Sequence, residues 1–153
     1  MKLTSRGLKL LFIQLLLATS TLIYRDFVLL IATSLVFSIT MFSAYKTVRA
    51  KRWSRIVDCE PKNVKLKMMA GEEKDLSLFI YSPIDLKLIN LPDWLRASND
   101  TLESGVNEVK LTISPRIGKV YRLDHLTVAF TDPLKILCED FKIPLWLEVT
   151  AYP

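Results

Sequence analysis

An N-terminal transmembrane α-helical hairpin followed by an all-β, immunoglobulin-like sandwich is the fold class this sequence predicts. Three observations predict it: two long runs without a charge, basic residues gathered on their flanks, and a change of hydrophobic period to two beyond residue 55. The chain has 153 residues, 50% hydrophobic, with 21 Lys+Arg against 16 Asp+Glu. Four glycines, two cysteines and an apolar half exclude collagen-like, disulfide-dense and disordered classes.

The first run is Leu10–Tyr24 and the second Phe27–Tyr45. As a helix the second spans about 28 Å, close to the ~30 Å of a bilayer core. The first reaches Leu8 if Lys9 extends its ammonium toward the headgroups. Spans of about 8–24 and 27–45, separated only by Arg25-Asp26, predict an antiparallel hairpin. Buried helices of a soluble bundle and a cleaved signal peptide are the competing readings. Neither run has the polar face a bundle helix needs, and Ala18-Thr19-Ser20 is a poor cleavage site.

Residues 1–55 carry nine Lys/Arg and one acid, a net of +8, whereas residues 56–153 carry twelve Lys/Arg and fifteen acids, a net of −3. The basic charge is therefore local, which argues against nucleic acid as a partner. Lys2, Arg6 and Lys9 precede the hairpin, and Lys46, Arg49, Lys51, Arg52 and Arg55 follow it, with Trp53 among them. Positive flanks stay inside. The sequence predicts a cell-membrane protein with both termini and the sandwich cytoplasmic. Lys46, Arg49, Lys51, Arg52, Trp53 and Arg55 form its membrane-flank anchor. Domain 1–55 is thus the hairpin and domain 56–153 the sandwich.

Strands are predicted from alternation at Val64–Met68, Ile84–Leu88 and Val109–Ile113, and from β-branched and aromatic content at Leu76–Tyr81, Val120–Phe130 and Ile143–Tyr152. Turn signals separate them at Gly71, Ser82-Pro83, Ser98-Asn99-Asp100, Ile117-Gly118 and Thr131-Asp132-Pro133. Gly118 is expected to supply a positive φ in a hairpin turn behind Pro115. Six to eight short strands in under 100 residues read as a sandwich.

Candidate chemistry is sparse. His125 is the one histidine, set in a predicted strand, and no CxxC, HxxxH, phosphate loop, GxSxG or SxxK occurs. Cys59 and Cys138 are expected to be reduced, partly buried thiols in a cytoplasmic domain, and a bridge becomes plausible only if the orientation is reversed. Glu72-Glu73 and Glu139-Asp140 read as solvated acids at turns, and Trp94 and Trp146 as packing residues. Arg116 reads as a surface cation paired with an acid, with a partner-binding residue as the competing reading. No enzyme, cofactor or metal is predicted.

Val109–Leu137 and Leu145–Pro153 add a resemblance. Pro115, Arg116, Gly118, Tyr121, Leu123, Leu126, Val128, Asp132, Pro133 and Leu134 follow a PxRGxYxLxxLxVxxxDPxGL stretch, and Ala151-Tyr152-Pro153 follows its closing strand. The chain resembles the N-terminal part of the bacterial and archaeal domain-of-unknown-function family fifty-eight. Those membrane proteins carry a transmembrane hairpin, a β-sandwich and a von Willebrand factor A-like domain, and are associated with MoxR-type AAA+ ATPases. Ile117 and Lys135 depart from the pattern, and the von Willebrand-like half would begin beyond Pro153, so no metal site is implied. The resemblance implies a family-pattern turn of Pro115, Arg116, Gly118, Tyr121, Asp132 and Pro133, and a truncated or split member. The expected function is a membrane-anchored, non-enzymatic protein-interaction or scaffold module. Its partners would be the lipid bilayer and a von Willebrand factor A-like protein or AAA+ ATPase. The alternative is a structural accessory subunit of a larger integral membrane complex, packed through Ala18, Thr19, Ser20, Ala32, Thr33, Ser34, Ser38 and Thr40.

Overall fold

The computed structural model describes residues 1–153. They divide into two compact units, Met1–Arg52 with Phe130–Glu139, and Trp53–Ala129 with Asp140–Pro153. The first therefore includes ten residues that the sequence reading gave to the sandwich.

In the first unit, β1 (Lys2–Leu3) precedes two apolar helices, α1 (Ser5–Tyr24) and α2 (Phe27–Trp53). Their candidate spans have mean hydropathies of 1.6 and 2.2, and only 6% of each is buried. Thr4 caps α1: its hydroxyl accepts from the Gly7 N–H at 3.1 Å, satisfying one of the donors a helix start leaves unpaired. Arg25 ends α1 in the left-handed conformation, φ 50°, with its N–H on the Thr21 carbonyl. Asp26 then caps α2, its carboxylate accepting from Val28 N–H at 2.8 Å. Two residues thus terminate one helix and start the next. Thr21 and Thr33 hydroxyls meet at 3.0 Å, and Thr40 donates to Gln14 Oε1 at 3.1 Å. Both pairs fit one antiparallel register, so the helices form a hairpin.

A 3₁₀ turn (Ser54–Ile56) opens the second unit, a mostly antiparallel β domain. Its strands are β2 (Asp58–Glu60), β3 (Asn63–Met69), β4 (Lys74–Ser82), β5 (Leu86–Ile89), β6 (Leu95–Ala97), β7 (Thr101–Leu102), β8 (Gly105–Ile113), β9 (Val120–Thr131) and β10 (Leu137–Tyr152). One sheet runs β2-β4-β8-β6; the other runs β10-β9-β5-β7, with β3 beside β10 and parallel to it. Alternation decides which face is buried. Leu78, Ile80, Val109, Leu111 and Ile113 of the first sheet are almost fully buried, as are Leu126, Val128, Leu145, Leu147 and Val149 of the second. The unit has no helix beyond the 3₁₀ turn, so the two sheets cover each other's apolar faces. Each such side chain contributes about 1.5–3 kcal/mol of burial.

Several expectations change. The strand expected at Ile84–Leu88 starts at Leu86, because the Ser82 hydroxyl bonds Ile84 at both its N–H and its carbonyl and holds a bend there. Glu139-Asp140 lies within β10, not at a turn. Gly118 does not have a positive φ; Gly71 and Gly105 do, at 87° and 123°. Gly118 is needed for space instead, since a Cβ there would stand 2.9 Å from the Pro153 nitrogen. Cys59 and Cys138 are both free thiols.

Candidate functional site

The residues singled out by sequence fall into three groups: the turn at Asp132, the flank from Lys46 to Arg55, and the segment from Pro115 to Tyr121.

In the helical unit the turn Asp132–Leu137 is built around one carboxylate. Asp132 is 1% exposed. Its Oδ1 accepts from the N–H groups of Ile136 and Leu137 at 2.8 and 2.6 Å, and its Oδ2 from Leu134 N–H at 3.0 Å. Its backbone N–H donates to the Leu137 carbonyl, and Lys135, at φ 56°, donates back to the Asp132 carbonyl. The turn's outward carbonyls then serve the helix: Thr4 donates its N–H to Ile136 O at 3.0 Å, and its hydroxyl contacts Lys135 O and Ile136 O. Lys2 and Leu3 pair with Cys138 and Leu137. Gly7 permits the approach, because a Cβ would sit 2.3 Å from the Ile136 oxygen. Asp132 of the family-pattern turn therefore shapes the segment that holds the start of α1.

The expected flank continues α2. Lys46, Arg49, Lys51, Arg52 and Trp53 lie on the helix beyond the expected end of the span at Tyr45, and Arg55 in the 3₁₀ turn. Lys51 and Arg52, in the last helical turn, also complement the negative end of the helix dipole. Lys46 places its ammonium 5.4 Å from the Phe42 ring centre, and Lys51 pairs with Glu139 at 3.8 Å. Glu139 also meets the Met1 amino group. Thr4 was not singled out by sequence; a threonine just ahead of an apolar run was the one available signal. Glu139 was read as a solvated acid at a turn, whereas it lies in β10 and meets two cations.

In the β unit, Pro115, Arg116 and Gly118 belong to the connection between β8 and β9, and Tyr121 is the second residue of β9. Pro92, Asp93, Trp94, Arg116, Ile117, Lys119 and Tyr121 line an open cleft of about 500 Å³. Tyr121 is 8% exposed, its hydroxyl accepting from Ile117 N–H at 3.2 Å and donating to Ile117 O at 3.1 Å. Trp94 packs on it with ring centres 5.3 Å apart, and Lys119 sits 4.8 Å from its ring centre, within cation–π range. Trp94 is thus a cleft wall as well as a packing residue. Arg116 is exposed at the rim and has no ion pair, contrary to the paired surface cation expected. Two cations beside two rings can hold a carboxylate or another anion attached to an apolar group.

Electrostatics elsewhere in this unit centre on β2. Lys62, paired with Asp58 at 3.0 Å, and then the Cys59 N–H hold the Asp58 carboxyl below its usual range. Burial, followed by the charges of Asp58 and Glu60, pushes the Cys59 thiol up to about 11. His125 lies half-buried in β9, and no three of the chain's His, Cys, Asp or Glu side chains converge.

No protein-family model matches the chain, and no curated protein matches it. Solved structures similar in part include the following two. A Bacteroides ovatus GH5 xyloglucanase in complex with a XXXG heptasaccharide matches 63% of this chain at 15% identity and a TM-score of 0.41. The Vibrio cholerae VesB protease matches 62% at 11% identity and a TM-score of 0.39. The chain spans 19% and 31% of those two proteins.

Proposed function

We propose that the chain is a membrane-anchored, non-enzymatic interaction module, with a helical hairpin across the bilayer and an immunoglobulin-like sandwich at the cytoplasmic face. The observation that carries this reading is the outer surface of the hairpin. Leu8, Phe12, Leu15, Leu22, Ile23, Phe27, Val28 and Leu35 are each at least 60% exposed, and so continuous an apolar surface needs hydrocarbon around it. The polar contacts, Gln14–Thr40 and Thr21–Thr33, face inward, as they do when lipid is outside. Cations at both ends of the hairpin and a neutral Arg25-Asp26 turn favour cytoplasmic termini.

Two features support the immunoglobulin-like reading. The order β2-β4-β8-β6 follows the A-B-E-D sheet of that fold, with β10-β9-β5 corresponding to G-F-C. Tyr121, near the start of β9, bonds back to Ile117, as the tyrosine corner of such domains does at the start of strand F. By the resemblance to family fifty-eight, the partner is a von Willebrand factor A-like protein or a MoxR-type ATPase. The cleft at Trp94 and Tyr121 is one surface where a partner's acidic group can seat. The accessory-subunit alternative has less support, because Ala18, Ser20, Ala32, Thr33 and Thr40 are half-buried and two of them bond across the hairpin.

Protease protection in sealed, oriented vesicles tests the reading. Cytoplasmic-side protease is expected to digest residues 56–153. Protection of that segment, or release of the chain by alkaline washing, overturns the proposal.

A further inference from the structure

The outer face of the sheet β2-β4-β8-β6 carries an apolar cluster that neither the anchor nor the cleft uses. Phe79 and Tyr81 are 51% and 46% exposed, and Val106 is 72% exposed. Strand pairing brings them together. Asp58, Tyr81 and Val106 form one row across β2, β4 and β8, and Glu60, Phe79 and Glu108 form the next row on the same face. Neighbours in a row stand about 5 Å apart, and the rows about 7 Å apart. An open groove of about 570 Å³ runs beside Phe79, lined by Glu60, Pro61, Lys62 and Ser77. Farther along the same face the exposed positions turn polar, with Asp75 bonded to Thr112 and Ser77 opposite Lys110. The apolar cluster is thus confined to one end of the sheet face.

Charge decides what can cover it. Asp58, Glu60 and Glu108 bracket the cluster, and of these only Asp58 has a cation, Lys62. Such a rim repels anionic headgroups and acidic segments, and it attracts a cation held beside an apolar group. We propose that this face docks a partner-protein segment in which a large apolar side chain lies between two Lys or Arg residues. The proposal deepens the interaction-module reading and rests on it.

The test uses the full chain in phosphatidylcholine nanodiscs and a fluorescent Ser-Arg-Ser-Leu-Ser-Arg-Ser peptide, with binding followed by anisotropy. Saturable binding is expected, weakening with added salt and about fivefold or more weaker in Phe79→Ser, in Tyr81→Ser and in the Glu60→Lys/Glu108→Lys double variant. The matching peptide with Glu in place of Arg is expected not to bind. Variants that keep the parent's thermal transition count. Absence of binding, or binding unchanged by all three variants, overturns the proposal. So does equal binding of the Glu peptide. Self-association of the chain that the same variants abolish also overturns it, giving the face to a second copy. Flotation of the chain with liposomes reads the anchor separately, so a docking failure in a chain that floats leaves the anchored-module reading standing.

Discussion

Asp132 accepts three backbone N–H groups within six residues of chain, and through the carbonyls it leaves facing outward it also sets the start of α1. Replacing it with Ala strands those donors in a partly buried turn, at about 1–3 kcal/mol for each left unsatisfied. We expect Asp132→Ala to lower stability by at least ~2 kcal/mol, measured by thermal or denaturant unfolding in detergent micelles. Asp132-Pro133 was legible as a turn starter, but its link to Thr4 was not, because the two residues lie more than 120 positions apart in the chain. Cys59 gives a second prediction. Its thiol is raised from 9.0 to about 11, so the folded state disfavours the thiolate. The stability this contributes is fully present below pH 9 and is lost as pH rises toward 11. Melting temperature should fall over that window in the parent chain, with this component absent from Cys59→Ala. At pH 8 a thiol reagent should label half-buried Cys138 well before the fully buried Cys59.

The hairpin and the longer strands were readable because their signals are local: an absence of charge over 15–19 residues, or alternation over five or more. Strands β1, β2, β6 and β7, of two or three residues each, are too short to display a period. β10 runs six residues farther toward its N-terminus than expected, since Glu139-Asp140 read as a turn but occupies positions along the strand. Within the hairpin, small residues are placed by their partners. Gly7→Ala drives a methyl group into the Ile136 carbonyl, so the start of α1 must separate from the Asp132–Leu137 turn. Its expected signature is faster tryptic cleavage after Lys135 together with a loss of about 1–3 kcal/mol. The double change Gln14→Leu/Thr40→Val removes one interhelical hydrogen bond and should cost only about 0.6–2 kcal/mol in micelles. A larger loss would mean that the pair does more than align the helices.

Taken across the chain, the charge of +8 on residues 1–55 against −3 on the rest is a sequence-level fact, and the helices add the surface that gives it meaning. On the topology we propose, changing Lys46, Arg49, Lys51, Arg52 and Arg55 together to Gln removes most of the flank that would hold the C-terminal end inside. Mixed orientation in a protease-protection assay is the expected result. The short strand β1 carries a different implication, one of timing. Residues 2–4 have their partners at 135–138, so a ribosome must translate past residue 138 before the first residues can be secured. Both apolar helices leave the exit tunnel long before that point, so on the membrane-anchored reading we propose, insertion precedes closure of this pairing. Nascent chains stalled before residue 130 should therefore leave the Thr4 N–H open to hydrogen exchange. Chains released beyond residue 140 should protect it through the Ile136 carbonyl.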